Sequence, residues 1–440
     1  MRLLTFALLA CAIPAAAQDR DHHVIVISLD GFPAYALHDP SVPLPVLRRL
    51  MKEGGAAEGM TPVNPTVTWP NHTSMVTGVE PARHGLIYNG MPIKTEGKPL
   101  RVEPWIEKNE LVQARTVYDA AHDAGLTTGE VDWVAIYHAP SVNWSFAERP
   151  SVEGAVEREM MSAGAITEEQ LRGWGKAPIT EKDDIWMRAA VHIIEKHKPN
   201  LLLMHLLTTD SSQHQYGART LAANTALILA DRQVQRILDA VDRAGIRDKT
   251  TILVVSDHGF ESYQKVVRPN ALLREKGLIR EKDGQVVDCD AWVMAEGGTA
   301  IGYVTRESER ARAIAIMKDA FTGQKGIKQI IWPNEYAKYG YPAPSGGRMG
   351  DFVLVIEPGY GFEGVTKGSV IDDVPPGATR GNHGYLSGDP DMTPILVMWG
   401  AGVRPGSHTG VQPNVNVAAT VAQLLGLKWS AGSPVKDLLR

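Results

Sequence analysis

Residues 24–33 read VIVISLDGFP. A largely apolar run from Val24 to Leu29, without polar alternation, is the pattern of a strand buried on both faces of a parallel sheet. Asp30 then falls at the strand's C-terminal end, the rim where open α/β sheets bind ligands. Taken alone, it serves equally well as a turn residue ahead of Gly31-Phe32-Pro33. The same pattern recurs twice: LLLMHLL at 201–207 runs into TTDSSQH, and TTILVV at 250–255 runs into SDHGF. Helical spacing fills the gaps at 45–53, 182–197 and 219–244. These segments predict an α/β protein, a three-layer α/β/α arrangement with a mostly parallel central sheet whose ligand rim gathers Asp30, Asp210, His214, Asp257 and His258.

Working outward, 107–124 reads as one helix up to Gly125, and 153–175 as irregular helix. From 261 to 379 the elements shorten and Gly and Pro multiply, which suggests a smaller inserted lobe at about 265–370, with a helix at 308–321 and a strand at 351–356. The chain returns through TRGNHGY, with His383 in a Gly-flanked turn, to a last strand at 394–400 and a closing helix at 414–425. One catalytic domain, residues 18–440, is expected to carry the lobe.

The N-terminus, MRLLTFALLACAIPAAAQ, has Arg2, an apolar run from Leu3 to Ile13, and Ala15-Ala16-Ala17. This is a secretory signal, too short to span a bilayer, with cleavage expected after Ala17. Leu8-Leu9-Ala10-Cys11 offers the alternative of lipoprotein processing at Cys11. A periplasmic or secreted protein without a transmembrane anchor follows. Loss of Arg2 leaves 44 basic against 50 acidic residues, and with no basic block a long nucleic acid is excluded as the main partner. Cleavage would also leave Cys289 as the sole cysteine, so the core, not a disulfide, must hold the fold.

The stretch from Thr61 to Asn89 places Thr68 in a Pro- and Asn-punctuated turn that opens into a helix. A hydroxyl there either caps the helix or sits where backbone N–H groups and the helix dipole favour an anion such as phosphate. Asp30, Thr68, Asp210, His214, Asp257, His258 and His383 together decide the matter. Mixed Asp and His without cysteine suits zinc better than manganese or iron, and six ligands suit two ions, the arrangement used for displacement at phosphorus. A threonine hydroxyl is a poor nucleophile at neutral pH unless a metal activates it. The remaining histidines, His72, His84, His192 and His197 among them, are assigned structural or surface roles.

In this order SLDGF, TVTWPNH with HGL after it, TTDSSQH, SDHGF and GNHGY resemble the alkaline phosphatase superfamily, and within it the nucleotide pyrophosphatase/phosphodiesterase (type I phosphodiesterase) branch. The motifs cover nearly the whole mature chain. The resemblance implies an alkaline-phosphatase-like fold and two Zn2+ ions, one on Asp210, His214 and His383, the other on Asp30, Asp257 and His258. It also implies Thr68 as nucleophile touching the second ion, Asn89 as donor to a phosphoryl oxygen, and a phosphothreonine intermediate. Trp69 matches an aromatic that stacks on the substrate, more often Phe in this branch.

Superfamily monoesterases with a threonine nucleophile meet the extra phosphate charge with a Lys-x-Arg pair. The corresponding segment here, GEVDWVAIYH at 129–138, has neither residue, which favours diesters or phosphoanhydrides of small nucleotide-like substrates. The CxPxR run of sulfatases is absent. A phosphomonoesterase or phosphonate hydrolase of the same superfamily is the alternative, and a non-catalytic zinc-stabilised module ranks last, because structural zinc sites are usually Cys-rich. Natural substrate and oligomeric state are not encoded in any recognisable pattern.

Overall fold

The computed structural model describes residues 21–375 and 380–440. The signal segment and Cys11 lie outside the described residues. The organising element is an eight-stranded sheet. Its order is Ser407–Thr409, Gly55–Ala57, Leu396–Gly400, Thr250–Val255, His23–Leu29, Leu201–Leu206, Thr128–Val131 and Trp144–Phe146. His23–Leu29 is central and pairs in parallel with both Leu201–Leu206 and Thr250–Val255. Leu396–Gly400 runs antiparallel to both of its neighbours, so the sheet is mostly but not wholly parallel.

Alternation along the central strand explains the layers. Ile25, Ile27 and Leu29 enter an apolar cluster with the helices Pro45–Glu53, Ile179–His197 and Leu221–Arg243. Val24 and Val26 point the other way, into a second cluster with Thr68–Thr77, Val117–Asp123 and Asn416–Leu424. A strand with both faces covered has few polar positions to offer, which is why its sequence reads as a largely apolar run. Ile27 is 0 % exposed, and truncating such a side chain to Ala costs about 2–5 kcal/mol.

The expected helix at 107–124 is two helices, Lys108–Leu111 and Val117–Asp123. Thr116 breaks it: its side chain accepts from Asp119 N–H while the Asp119 carboxylate accepts from Thr116 N–H, a capping box that starts a new helix. Within 265–370, Ala291–Ala295, Thr299–Val304, Phe352–Ile356 and Ile327–Ile331 form an antiparallel four-stranded sheet in that order, packed with Arg310–Phe321 around a third apolar cluster. Among the described residues, no helix is long and apolar enough to cross a membrane.

Candidate active site

Parallel pairing in register carries three strands to one rim. Ser28 lies opposite both His205 and Val255, so the residues after each strand emerge together. Asp30 N–H donates to Leu206 C=O at 2.9 Å, and Gly31 N–H to Asp257 Oδ1 at 3.1 Å. Asp210 and His214 project from one face of the helix Thr208–Tyr216, four residues apart. That helix is capped from outside: Asp183 on the long helix accepts from Leu207 and Thr208 N–H, at 2.9 and 3.0 Å.

His383 arrives by a different route. Arg380–Asn382 pairs antiparallel with Glu261–Tyr263, the segment directly after SDHGF, and so brings the two motifs side by side. The His383 and His258 rings stack at 3.8 Å. Gly297, at φ +83°, and Gly298 lie against this turn. Gly298 N–H donates to His383 C=O at 2.9 Å, and a Cβ on Gly297 would sit 2.1 Å from that same oxygen. Only glycine fits there.

Six of the expected ligands fall into two trios, Asp210 with His214 and His383, and Asp30 with Asp257 and His258. Within each trio the ligand atoms lie within 4.8 Å of one another. The imidazoles are oriented alike: the Nδ1 atoms of His214, His258 and His383 face the carbonyls of Gly381, Gly259 and Thr66 at 3.2, 3.1 and 2.9 Å. Each Nε2 is thereby left for a metal, the usual tautomer of a ligating histidine. Buried Asp30 Oδ1, Asp210 Oδ1, Asp257 Oδ2 and His258 Nε2 have no hydrogen-bond partner. Two buried carboxylates and a partly buried third, Asp210, converging with orphaned oxygens are costly without cations between them, and a Cys-free Asp/His donor set fits zinc.

Burial, reinforced by the charges of Asp257 and Asp210, pushes the Asp30 carboxyl well above its ordinary range. Burial also pushes His258 down to about 4, and His383, facing His258 and His214, down to about 3. Burial alone would raise Asp210, yet the His214 imidazole holds it below the usual range. Burial opposes protonation of His214, but Asp210 outweighs it and raises His214.

Thr68 is the first residue of the helix Thr68–Thr77; Val67 occupies the N-cap and no side chain caps the helix. The capping role open to Thr68 in the sequence is therefore not the one it has. Asn71 shapes the turn instead, accepting from Val63 N–H and donating to Pro65 and Val67 C=O. Neighbours of Thr68 reach both trios: Thr66 C=O meets His383 Nδ1, and His72, whose Nδ1 donates to Thr68 C=O at 2.9 Å, also faces Asp257 Oδ2 at 3.6 Å. Asn89 Oδ1 accepts from Trp69 N–H at 3.0 Å, which leaves its NH2 as the free end. Trp69 is 6 % exposed and packs with Leu86, Leu111, Val112 and Val134, so little of its ring is accessible.

His205 and Asp132 escape the sequence reading. His205 is hidden inside an apolar strand, and Asp132 shows only as the absence of a cation in GEVDWVAIYH. His205 Nε2 donates to Asp30 Oδ2 at 2.9 Å, and its Nδ1 faces Asp132 Oδ2 at 3.3 Å. Alternation places a polar side chain at 205 among apolar ones; that irregularity was the available signal.

A family model described as type I phosphodiesterase / nucleotide pyrophosphatase matches residues 24–386. The chain belongs to this family. Membership makes the protein a hydrolase acting on phosphodiester and pyrophosphate bonds. Among family relatives, mouse ectonucleotide pyrophosphatase/phosphodiesterase family member 7 is 21% identical over 434 residues, 96% of this chain and 88% of that one. Human family member 1 is 28% identical over 239 residues, 54% of this chain but 23% of the relative. Murine ectonucleotide pyrophosphatase/phosphodiesterase 5 has the same fold, with a TM-score of 0.71 at 19% identity, covering 95% of this chain and 100% of that one. An inactive threonine-to-alanine form of it, in complex with AMP, matches with a TM-score of 0.71 at 18% identity over the same shares. The phosphodiesterase motifs thus sit on the sheet rim that the family fold provides.

Proposed function

We propose that the protein is an exported two-zinc phosphodiesterase/nucleotide pyrophosphatase acting through a phosphothreonine on Thr68, with its lobe at about 265–370 inserted into one catalytic domain. The observation that carries this reading is the contact of Thr68's neighbours, Thr66 and His72, with two metal-ligand trios whose buried oxygens lack partners. Asp210, His214 and His383 would hold one zinc, and Asp30, Asp257 and His258 the other, which Thr68 would touch. When bound, the ions would lower the pKa of the attacking hydroxyl and neutralise charge on the leaving oxygen.

Thr68 Oγ1 attacks phosphorus and forms the new P–O bond as the bond to the departing oxygen breaks; the hydroxyl proton leaves to solvent, and the departing oxygen leaves as the alcohol or nucleotide after taking up a proton from solvent. Water then cleaves the phosphothreonine and regenerates the hydroxyl. Asn89, held through its oxygen by Trp69 N–H, directs its NH2 at a non-bridging phosphoryl oxygen, where a preorganised donor favours the transition state. Trp69 borders the substrate with the edge of its ring rather than a full face. The inactive threonine-to-alanine relative that holds AMP supports both the nucleophile and a nucleotide-like substrate.

Asp132 supports diesters over monoesters. It stands in the segment where a monoesterase would supply cations, it is 0 % exposed, and it offers a carboxyl there in place of a Lys or Arg. Hydrolysis of bis-p-nitrophenyl phosphate against the monoester, with metal content measured on the same sample, tests the proposal. Faster diester turnover with at least two zinc ions per chain is expected; preferential monoester turnover, or an inert protein with metal bound, contradicts it.

A further inference from the structure

A third convergence of ligand atoms lies away from this rim. Glu159, on the helix Ala155–Ser162, meets His192 and His197 from the last turns of Ile179–His197. Both imidazoles aim Nε2 at the same carboxylate oxygen: His192 at 3.1 Å and His197 at 2.8 Å from Glu159 Oε2. The Trp144 ring stacks flat on His197, 4.5 Å between centroids at 18°, which fixes that ring. The helix ends at His197 and the strand begins at Leu201, whereas the catalytic trios follow the far end of that strand. Six residues of strand, roughly 20 Å, therefore separate this cluster from the active site.

We propose that Glu159, His192 and His197 form a separate zinc site that clamps the two helices together. Two imidazole nitrogens and one carboxylate are a donor set that zinc accepts with a water in the fourth position. A tetrahedral ion with bonds of about 2.0–2.1 Å spaces its ligand atoms roughly 3.3 Å apart; the two His–Glu spacings of 2.8 and 3.1 Å need to open by only a few tenths of an ångström, and the two imidazole nitrogens lie within 4.8 Å of each other. The three side chains are 30, 13 and 14 % exposed, open enough for water and ion to enter. Lys196 Nζ, 3.2 Å from the same Glu159 oxygen and 52 % exposed, is the competing cation, and its flexible stem can carry it into solvent.

The test compares zinc content after equilibrium dialysis of the full chain against micromolar Zn2+. Wild type should hold one zinc more per chain than His192→Ala/His197→Ala, with hydrolysis of bis-p-nitrophenyl phosphate equal in the two. The comparison is a difference, so it stands whether or not the catalytic trios hold two ions. Should the double variant fail to fold by circular dichroism, Glu159→Gln replaces it, with an expected loss of at least about tenfold in affinity at this site. Lys196→Met should tighten binding there about fivefold by removing the competing charge. Equal zinc content in wild type and the folded variant, or an unchanged affinity in both Glu159→Gln and Lys196→Met, overturns the proposal.

Discussion

His205 stands directly behind Asp30, its Nε2 2.9 Å from Asp30 Oδ2, with both side chains buried. Burial works against a charged imidazole here, but Asp132 and Asp30 on its two sides raise it well above the ordinary histidine range. The imidazole thus fixes one Asp30 oxygen and leaves the other, Oδ1, for a metal. Replacing His205 by Ala should weaken zinc at the Asp30–Asp257–His258 trio by about 10–100-fold, the usual cost of losing a partner of a ligand. Chelator competition reads this directly, and excess zinc should restore much of kcat. An unaltered affinity would show that Asp30 needs no such support.

Thr68→Ala should reduce turnover by at least about a thousandfold while zinc content and fold stay as in wild type, because the hydroxyl alone is removed. Thr68→Ser, which keeps the oxygen, should recover part of it. Trapping with acid after a short exposure to a diester substrate should find on Thr68 a phosphoryl group that still carries its second ester substituent in wild type, and none in the alanine variant.

Asn89→Ala should lower kcat by about 10²–10³, equivalent to roughly 2.7–4 kcal/mol, as for the loss of one preorganised donor. KM should change far less. A change confined to KM would mean that Asn89 binds the ground state and the transition state equally.

Metal uptake should have a shallower pH dependence than three ordinary histidines would give. A ligand must lose its proton to bind, so each histidine titrating in the window adds one to the slope of log affinity against pH. His383, pushed down to about 3, is already neutral throughout pH 5–7, whereas His214 is raised and still carries its proton at the acid end. In an Asp257→Asn variant, which disables the neighbouring trio but keeps His258 against His383, zinc affinity should therefore fall on acidification with a slope of about one. A slope of about two would place His383 among the ordinary histidines.

Buried His84 provides a stability counterpart. Burial pushes it down to about 3, and its Nε2 meets Ser74 Oγ at 2.9 Å. The unfolded chain takes up this proton below about 6.5 and the folded chain only below about 3, so stability rises with pH across that window and is lost on acidification. His84→Gln should flatten this acid limb of the unfolding midpoint; an unchanged limb would assign it to other groups.

What could be read from the chain tracks the physics of each element. The three buried strands were legible because parallel pairing with both faces covered favours mostly apolar runs, and Asp30, Asp210 and Asp257 follow just beyond their C-terminal ends. The helix break at Thr116 was missed because a capping box spends only two residues and leaves the apolar spacing almost intact. The antiparallel direction of Leu396–Gly400 is invisible in composition, since direction depends on the connection and not on the residues. His205 was passed over because a polar residue in an apolar strand gives no hint of the two carboxylates that face it across the sheet. His192 and His197 read as structural or surface residues for a related reason: their common partner, Glu159, lies on another helix.

The ligands of the two trios run from Asp30 to His383 along a chain of 440 residues. A polypeptide emerging from the ribosome therefore lacks a complete pair of trios until most of it has been made. The strand Leu396–Gly400, which flanks the one leading to Asp257, comes later still. A chain that stops before His383 would lack one ligand of the Asp210–His214–His383 trio and could not assemble both trios.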